Sequence, residues 1–174
     1  MKKVLVVVDM QKDFVDGALG TAEAVGIVDN VVRKIENFCG DIIVTMDTHH
    51  ENYMETREGK YLPVPHCIQE TAGWMLDDKV RKALEKKPFK IIEKPTFCAK
   101  ELPEYIAENY DPENIEIQLI GLCTDICVIS NALLLKANFT ETRISVDSAC
   151  CAGVTPETHT AALTTMKMCQ VDVL

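Results

Sequence analysis

The residue best suited to chemistry in this sequence is a cysteine that follows an apolar run. The run 115–120 has the composition of a buried strand, the run stops at Gly121, and Cys127 then falls in the first turn of a predicted helix. The unpaired N–H groups and positive dipole end of a helix stabilise a thiolate, with Thr124 or Asp125 as the expected cap. Cys127 is therefore the candidate nucleophile, although a small buried apolar side chain is the simpler interpretation of a cysteine.

Two charged residues elsewhere in the chain could assist such a nucleophile. Asp9 follows the first apolar run, where burial would raise the pKa of its carboxyl, which suits a group that takes the thiol proton and returns it to a leaving amine. Lys94 follows another run, and its ammonium would stabilise both anionic partners. The simpler alternatives are that Asp9 caps the following turn and that Lys94 is a solvated surface charge.

The polar segment 47–74 carries donors for a metal ion. It is rich in His, Pro and Gly, and it is longer than the usual connection between a strand and a helix, which is typical of functional loops. Its oxygen and imidazole donors suit Zn²⁺, Mn²⁺ or Fe²⁺. The expected ligands are Asp47, His49, Glu58 and His66. Glu55 is an alternative to Glu58, and His159 is expected to pack or to cap a helix rather than to bind metal.

The apolar runs predict a scaffold that brings these residues together. The stretch Val4–Val8 is almost entirely β-branched, as in a strand that is buried on both faces of a sheet. Further strands are expected over 41–46, 89–92, 115–120, 142–146 and 170–173. Helical periodicity is expected over 24–38, 75–86, 101–108, 126–137 and 156–168.

The alternation of strands and helices predicts an α/β fold, with an open parallel sheet of about six strands and helices on both faces. At this length we expect a single domain over residues 1–174. Ligands of such sheets bind beyond the carboxyl ends of the strands. The four polar residues that follow strands, Asp9, Asp47, Lys94 and Cys127, are expected to meet there.

Composition excludes several classes of partner. The chain has 27 acidic and 18 basic residues and a net charge of −9, so nucleic acid and anionic membrane surfaces would be repelled. No apolar run is long enough to cross a bilayer. Eight cysteines are spread over a chain that begins without the pattern of a signal peptide, so we expect free thiols in a soluble cytoplasmic protein.

Asp9, Lys94 and Cys127 belong to the segments Val7–Phe14, Glu93–Phe97 and Gly121–Val128. These three segments resemble the isochorismatase-like cysteine hydrolase superfamily and, within it, the nicotinamidases, and the similarity extends over essentially the whole chain. The resemblance implies a Rossmann-like, three-layer sandwich and a catalytic triad of Asp9, Lys94 and Cys127. It also implies that Phe14 stacks on the substrate.

The same resemblance implies further details of the site. The Leu122–Cys123 peptide bond would be cis, and the backbone N–H groups of Cys123 and Cys127 would form an oxyanion hole. The order of the expected metal ligands resembles the nicotinamidase form that uses Asp, His, Glu and His. In that form a divalent metal, here expected to be Zn²⁺ with Mn²⁺ or Fe²⁺ as alternatives, orients the pyridine nitrogen of nicotinamide.

Two departures from the family pattern affect the expected substrate contacts. The stretch Pro63–His66 carries one more residue than the family's Pro-Pro-His, and Leu62 stands where an aromatic residue is frequent. Leu62 and Phe97 are nevertheless expected to line the substrate pocket with Phe14. A pocket with less aromatic stacking could accept a different amide.

We therefore expect an amidohydrolase that acts on a small carboxamide through a cysteine thioester, with nicotinamide as the expected substrate and a homo-oligomer as the expected assembly. One alternative is hydrolysis of another amide or ureido compound, such as an N-carbamoyl amino acid. A second alternative is a non-catalytic metal-binding or redox-sensing module, in which Cys150 and Cys151 would be oxidised as a pair.

Overall fold

The predicted apolar runs form one six-stranded sheet in the structure, a computed structural model that describes residues 1–174. The strands are β1 (Lys2–Val8), β2 (Asp41–Asp47), β3 (Phe89–Lys94), β4 (Ile115–Leu122), β5 (Arg143–Ala152) and β6 (Asp172–Val173). Their order is β3-β2-β1-β4-β5-β6, and every pair of neighbours is parallel. The predicted α/β fold class is therefore confirmed.

Seven α-helices connect or flank the strands. They are α1 (Lys12–Val15), α2 (Ala22–Asn37), α3 (Arg57–Tyr61), α4 (Asp78–Leu84), α5 (Leu102–Asn109), α6 (Ile129–Asn138) and α7 (Pro156–Met168). Residues of α2 and α4 pack in one apolar cluster, and residues of α5, α6 and α7 pack in a second. The helices thus cover both faces of the sheet, as expected for a parallel sheet.

The central strand β1 shows why both faces need a cover. Leu5 and Val7 lie in the first cluster, whereas Val4, Val6 and Val8 lie in the second, and all five side chains are fully buried. Successive side chains of a strand point to opposite faces of the sheet. A continuous apolar run is therefore fully buried only when helices cover both faces.

The segment 47–74 is more ordered than the expected loop. It contains a 3₁₀ turn at Tyr53–Glu55 and the helix α3, which begins after Thr56. The Thr56 hydroxyl accepts a hydrogen bond from the backbone N–H of Gly59 (3.0 Å), so a side-chain cap stabilises this single turn. These short helices were missed because one turn is too short to show a periodic pattern.

The bounds of three other elements also differ from the prediction. Helix α4 begins at Asp78 rather than at residue 75, because the Asp77 carboxylate caps it by accepting from the N–H groups of Lys79 and Val80. Strand β5 extends six residues beyond the predicted end, to Ala152, and its pairing with β4 shifts in register on the way. Only two residues of the predicted last strand pair, in β6.

The strand order fixes the place of the functional residues. The neighbouring strands β3, β2, β1 and β4 end at the same edge of the sheet. Lys94, Asp47, Asp9 and Cys127 lie at or just after these four ends, in that order across the edge. None of the helices has the length and apolarity to cross a membrane.

Candidate active site

A buried lysine joins the predicted triad. The Nζ atom of Lys94 lies 2.7 Å from Asp9 Oδ2 and 3.5 Å from Cys127 Sγ. It also lies 3.2 Å from Asp47 Oδ1. Lys94 is 1% exposed, so it is not the solvated surface charge of the simpler interpretation. Asp9 is fully buried, and its carboxylate contacts Lys94 and the Thr45 hydroxyl rather than capping the following turn. The side chains of Asp9 and Cys127 therefore meet at the Lys94 ammonium, as expected.

Backbone and side-chain contacts hold the two charged members in place. Asp9 directly follows β1 with a φ of 47°, and its Oδ1 accepts a hydrogen bond from the hydroxyl of Thr45 (2.7 Å). The backbone N–H of Asp9 donates to the Thr45 carbonyl (3.2 Å). Lys94 is the last residue of β3, and its Nζ donates to the carbonyl of Thr96 (2.9 Å).

The pKa shifts describe a charged lysine and a neutral thiol. Burial raises the pKa of Asp9, although Lys94 and Thr45 oppose the shift. Burial would lower the pKa of Lys94, but the neighbouring Asp9, Cys127 and Asp47 raise it on balance, so the ammonium persists. Burial, together with the Asp9 carboxylate, raises the pKa of Cys127 well above its usual value in spite of Lys94. The resting sulfur is therefore a thiol.

This result corrects the expectation that the start of a helix stabilises a thiolate on Cys127. The expected helix does not begin at residue 126, because Thr124–Val128 form a π-helical turn and α6 follows from Ile129. The carbonyl of Cys123 accepts from the N–H groups of both Ile126 (3.1 Å) and Val128 (3.0 Å). We call residues 124–128 the nucleophile turn.

Neither expected residue caps the nucleophile turn. The hydroxyl of Thr124 is hydrogen-bonded instead to Nδ1 of His159 in α7 (2.8 Å). The carboxylate of Asp125 accepts from the backbone N–H of Val154 (3.1 Å to Oδ2). Both side chains point toward the chain that follows β5, and the prediction of a cap was wrong because tertiary partners engage them. His159 is thus a packed residue, as expected.

The start of the nucleophile turn has the backbone geometry implied by the resemblance. The Leu122–Cys123 peptide bond is cis. Cys123 is half-buried, it lines the same cavity as Cys127, and burial raises the pKa of its thiol to about 12. The proposed oxyanion donors therefore belong to residues that both border the cavity.

The four predicted metal ligands form a compact group. One donor atom from each of Asp47, His49, Glu58 and His66 lies within 4.8 Å of every other. Asp47 Oδ2 is 2.9 Å from His49 Nε2 and 3.5 Å from His66 Nε2. Glu58 Oε1 is 3.7 Å from His49 Nε2 and 3.9 Å from His66 Nε2. Glu55 is not part of the group, so the structure favours Glu58.

The chemistry of this group fits a divalent metal. Nδ1 of His66 lies 2.8 Å from the carbonyl of Val64, which can only accept, so Nδ1 carries a proton and Nε2 is the nitrogen that faces the group. Nε2 of His49 is buried and forms no hydrogen bond in spite of its closeness to Asp47. An unpartnered imidazole nitrogen that faces carboxylates is the arrangement that a cation would satisfy.

Three residues that support the site were not predicted as functional. Gln11 is fully buried, and its side-chain amide accepts from the Asp47 N–H (2.7 Å) and donates to the Asp47 carbonyl (2.8 Å). Asp13 accepts from the backbone N–H of Cys67, next to His66 (2.8 Å). Thr45 donates to Asp9. Of these three residues, only Thr45 has a signal in the sequence, because it is polar within a mainly apolar strand.

A cavity of about 230 Å³ lies between Cys127 of the triad and the metal-ligand group. Its lining residues are Phe14, Leu19, Thr21, Asp47, Glu58, Leu62, His66, Phe97, Cys123, Ile126, Cys127 and Val154. The three expected substrate contacts, Phe14, Leu62 and Phe97, are all among them. The ring of Phe14 lies 5.4 Å from that of His66. A larger groove, about 640 Å³ between α2 and β5, contains none of the triad or ligand residues.

The two adjacent cysteines of β5, Cys150 and Cys151, do not line this cavity. All eight cysteines of the chain are unpaired. Cys150 and Cys151 are adjacent in β5, and each is buried in a different apolar cluster. Because neighbouring residues of a strand face opposite sides of the sheet, these two thiols point away from each other. This geometry does not favour the oxidised pair of the redox-sensing alternative.

The chain is similar to known proteins over nearly its whole length. The Isochorismatase domain family matches residues 3–174. The chain belongs to the isochorismatase family. A family member from Bacillus subtilis (strain 168), described as the uncharacterized isochorismatase family protein PncA, is 30% identical over 173 residues, which cover 94% of this chain and 93% of the relative.

Solved structures of other isochorismatase-like enzymes have the same fold. The crystal structure of nicotinamidase/pyrazinamidase PncA from Bacillus subtilis matches with a TM-score of 0.86 and 28% identity, over 99% of both chains. The pyrazinamidase of Pyrococcus horikoshii, crystallised in complex with zinc, matches with a TM-score of 0.79 and 26% identity, over 100% of this chain and 99% of that chain.

Proposed function

We propose that this isochorismatase family protein is an amidohydrolase of the nicotinamidase type, which converts nicotinamide and water to nicotinate and ammonia. The observation that carries the proposal is the position of the Lys94 ammonium between the Asp9 carboxylate (2.7 Å) and the Cys127 thiol (3.5 Å) at one end of the cavity. An acid–base group and a nucleophile beside one shared cation are what amide hydrolysis through a thioester requires. The similar nicotinamidase structures give further support.

Acylation begins with a proton transfer within the triad. Asp9 takes the proton of the Cys127 thiol as the sulfur attacks the amide carbon. The backbone N–H groups of Cys123 and Cys127 stabilise the oxygen of the tetrahedral intermediate. Asp9 then gives the proton to the departing nitrogen, the C–N bond breaks, ammonia leaves, and a thioester remains on Cys127.

Deacylation uses the same groups in reverse. Asp9 removes a proton from a water molecule, and the resulting hydroxide attacks the thioester carbon. The C–S bond breaks, the sulfur recovers the proton from Asp9, and the carboxylic acid product is released. Lys94 stays protonated throughout, so it compensates the negative charge that moves between Asp9 and Cys127.

The metal in this proposal belongs to substrate binding. Asp47, His49, Glu58 and His66 would hold it, at the part of the cavity next to Phe14. When bound, the ion supplies a Lewis acid that can accept the lone pair of a ring nitrogen. The chain's own residues orient the rest of the substrate, since Phe14, Leu62 and Phe97 offer apolar walls for a flat ring.

The first test is ammonia release from nicotinamide by the purified protein. Cys127→Ala should lower kcat by about a thousandfold or more, because removal of a covalent nucleophile leaves only substrate binding. Cys169→Ala is the matched control, since Cys169 is an exposed thiol at the end of α7, and it should keep wild-type activity. Full activity of Cys127→Ala, or release from N-carbamoyl amino acids but not from nicotinamide, would contradict the proposal.

The same assay tests the role of the metal. Treatment with a chelator, or Glu58→Gln, should raise KM about tenfold or more and lower the affinity for nicotinate measured by calorimetry. Glu55→Gln is the control, because Glu55 lies one turn earlier on the same segment but outside the ligand group. Unchanged nicotinate affinity after chelation would show that the ion has no part in binding.

A further inference from the structure

A buried amide lies directly behind the nucleophile. Asn131 follows Cys127 by one turn, in α6, and is fully buried. Its Nδ2 donates to the backbone carbonyl of Cys127 (2.8 Å) and to that of Phe97 (3.4 Å). Its Oδ1 accepts from the backbone N–H of Ala99 (2.9 Å). Both hydrogens of the amide and its oxygen are thus engaged, with partners on two separate segments.

Helix architecture does not explain this side chain. Three other asparagines, Asn37, Asn109 and Asn138, donate to the carbonyl four residues earlier, and each is the last residue of its helix and exposed. In those places the amide helps to end a helix. Asn131 lies within α6, where asparagine is a poor helix former and where a buried amide is costly unless it is fully hydrogen-bonded.

The second segment to which Asn131 is hydrogen-bonded also contacts Lys94 of the triad. Residues 95–99 follow β3 and connect Lys94 to the region before α5. The carbonyl of Thr96 accepts from Lys94 Nζ (2.9 Å), and Phe97 lines the cavity although it is 46% exposed. Asn131 therefore holds, through one planar group, the backbone of the nucleophile and the backbone that contacts Lys94 and forms a cavity wall.

We propose that Asn131 is a positioning residue, which fixes the Cys127 sulfur at its distance from the Lys94 ammonium by tying the nucleophile turn to residues 97–99. This inference rests on the proposed amidase function. Because a small displacement of reacting groups has a large effect on rate, the loss of this tie lowers kcat much more than it raises KM.

Two substitutions separate the contact of Asn131 with Cys127 from its contacts with residues 97–99. Asn131→Ala removes all contacts. Asn131→Thr supplies a hydroxyl that can donate to the carbonyl four residues earlier, as Thr160, Thr164 and Thr165 do in α7, but it is too short to reach residues 97–99. Asn138→Ala is the matched control, because it removes an asparagine bond of the same geometry from the exposed end of the same helix.

With nicotinamide we expect kcat to fall about tenfold to a hundredfold in both Asn131→Ala and Asn131→Thr, with KM changed by less than about threefold. Asn138→Ala should match the wild type. The proposal is overturned if Asn131→Thr recovers wild-type kcat, because the bond within the helix would then be sufficient. It is also overturned if Asn131→Ala loses thermal stability but keeps its kcat.

Alkylation of Cys127 by iodoacetamide separates this proposal from the proposed function, since the readout needs no turnover. Peptide mass spectrometry follows Cys127, with the exposed Cys39 and Cys169 as internal references. We expect Asn131→Ala to slow alkylation of Cys127 about fivefold or more, because the thiolate loses part of its stabilisation by Lys94, and to leave both references unchanged. If the wild type releases no ammonia but Asn131→Ala still alkylates more slowly than the wild type, only the amidase function is contradicted. An unchanged alkylation rate of Cys127 in Asn131→Ala contradicts the positioning role.

Discussion

At the scale of single residues, the site depends on a cation that is shared by several acceptors. Lys94 contacts Asp9, Asp47 and Cys127 and is almost completely buried. Without it, two buried carboxylates would lie near each other with no compensating charge, which is strongly unfavourable in a protein interior. The same ammonium therefore stabilises the folded site and the charge that moves during the proposed reaction.

The hydroxyl of Thr45 gives a testable pH dependence. The pKa of Asp9 is raised by burial, and the hydrogen bond from Thr45 acts in the opposite direction. Thr45→Val removes that bond at constant shape, so the pKa of Asp9 should rise further. Since Asp9 must be ionised to accept the thiol proton, the acidic midpoint of the kcat/KM profile should move to higher pH.

The control for Thr45→Val is another buried threonine. The hydroxyl of Thr142 donates to the Pro112 carbonyl, far from the cavity, so Thr142→Val should leave the pH profile in place. An identical acidic midpoint in wild type and Thr45→Val would argue against Asp9 as the base.

Sequence alone could predict the residues that end strands but not those that support them. Asp9, Lys94 and Cys127 interrupt apolar runs at positions where a parallel sheet collects ligands, so their convergence follows from the fold class. Gln11 and Asn131 have no such signal. Their roles depend on which backbone groups come within reach, and tertiary packing alone determines that.

At the scale of elements, the passage from β4 to the nucleophile turn depends on one glycine. Gly121 has a φ of 118°, a conformation that side chains rarely adopt. A Cβ atom there would lie 2.1 Å from the carbonyl oxygen of Val8 in β1. The close approach of these two strands, which places Asp9 beside the nucleophile turn, is therefore possible only with glycine.

Substitution of Gly121 by alanine tests this constraint. The clash and the unfavourable φ should lower the free energy of unfolding by about 2–4 kcal/mol and reduce kcat, because the nucleophile turn must shift. Gly26→Ala is the control, since a Cβ at Gly26 meets nothing within 4 Å inside α2, and it should stabilise the protein by about 0.5–1 kcal/mol. Urea unfolding of both variants measures the difference, and equal effects would refute the constraint.

The elements that could not be predicted from the sequence have too few residues to show a periodic hydrophobic pattern. Helix α3 has five residues and carries Glu58, yet one isolated turn is unstable without tertiary contacts. The cap of the nucleophile turn was also mispredicted, because Thr124 and Asp125 are good capping residues whose partners lie far along the chain. The long strands and helices, in contrast, showed their periods clearly.

At the scale of the whole molecule, the last helix takes part in the site from a distance. His159 of α7 is hydrogen-bonded to Thr124 in the nucleophile turn, more than thirty residues earlier. Burial lowers the pKa of His159, although Asp125 opposes the shift. The folded protein therefore holds a neutral imidazole against the turn that carries Cys127.

This arrangement predicts a pH dependence of stability. Because the pKa of His159 is lower in the folded than in the unfolded chain, the unfolded state binds more protons as the pH falls below about 6.5, and the folded state loses stability there. His159→Gln keeps a polar group but does not titrate, so its melting temperature should fall less than that of the wild type between pH 7.5 and about pH 5. His50→Gln, at an exposed site, serves as the control. If the melting temperatures of wild type and His159→Gln fall equally with pH, His159 makes no contribution to the pH dependence of stability.

The mainly apolar lining of the cavity has a consequence for the end of the reaction cycle. An uncharged carboxamide loses less hydration on entering such a space than an ionised acid does, because the acid must give up strongly bound water. The acid formed there also lies near the buried Asp9 carboxylate. In the proposed reaction, turnover therefore converts an uncharged molecule into an anion, which the apolar walls accommodate less well and bulk solvent holds better.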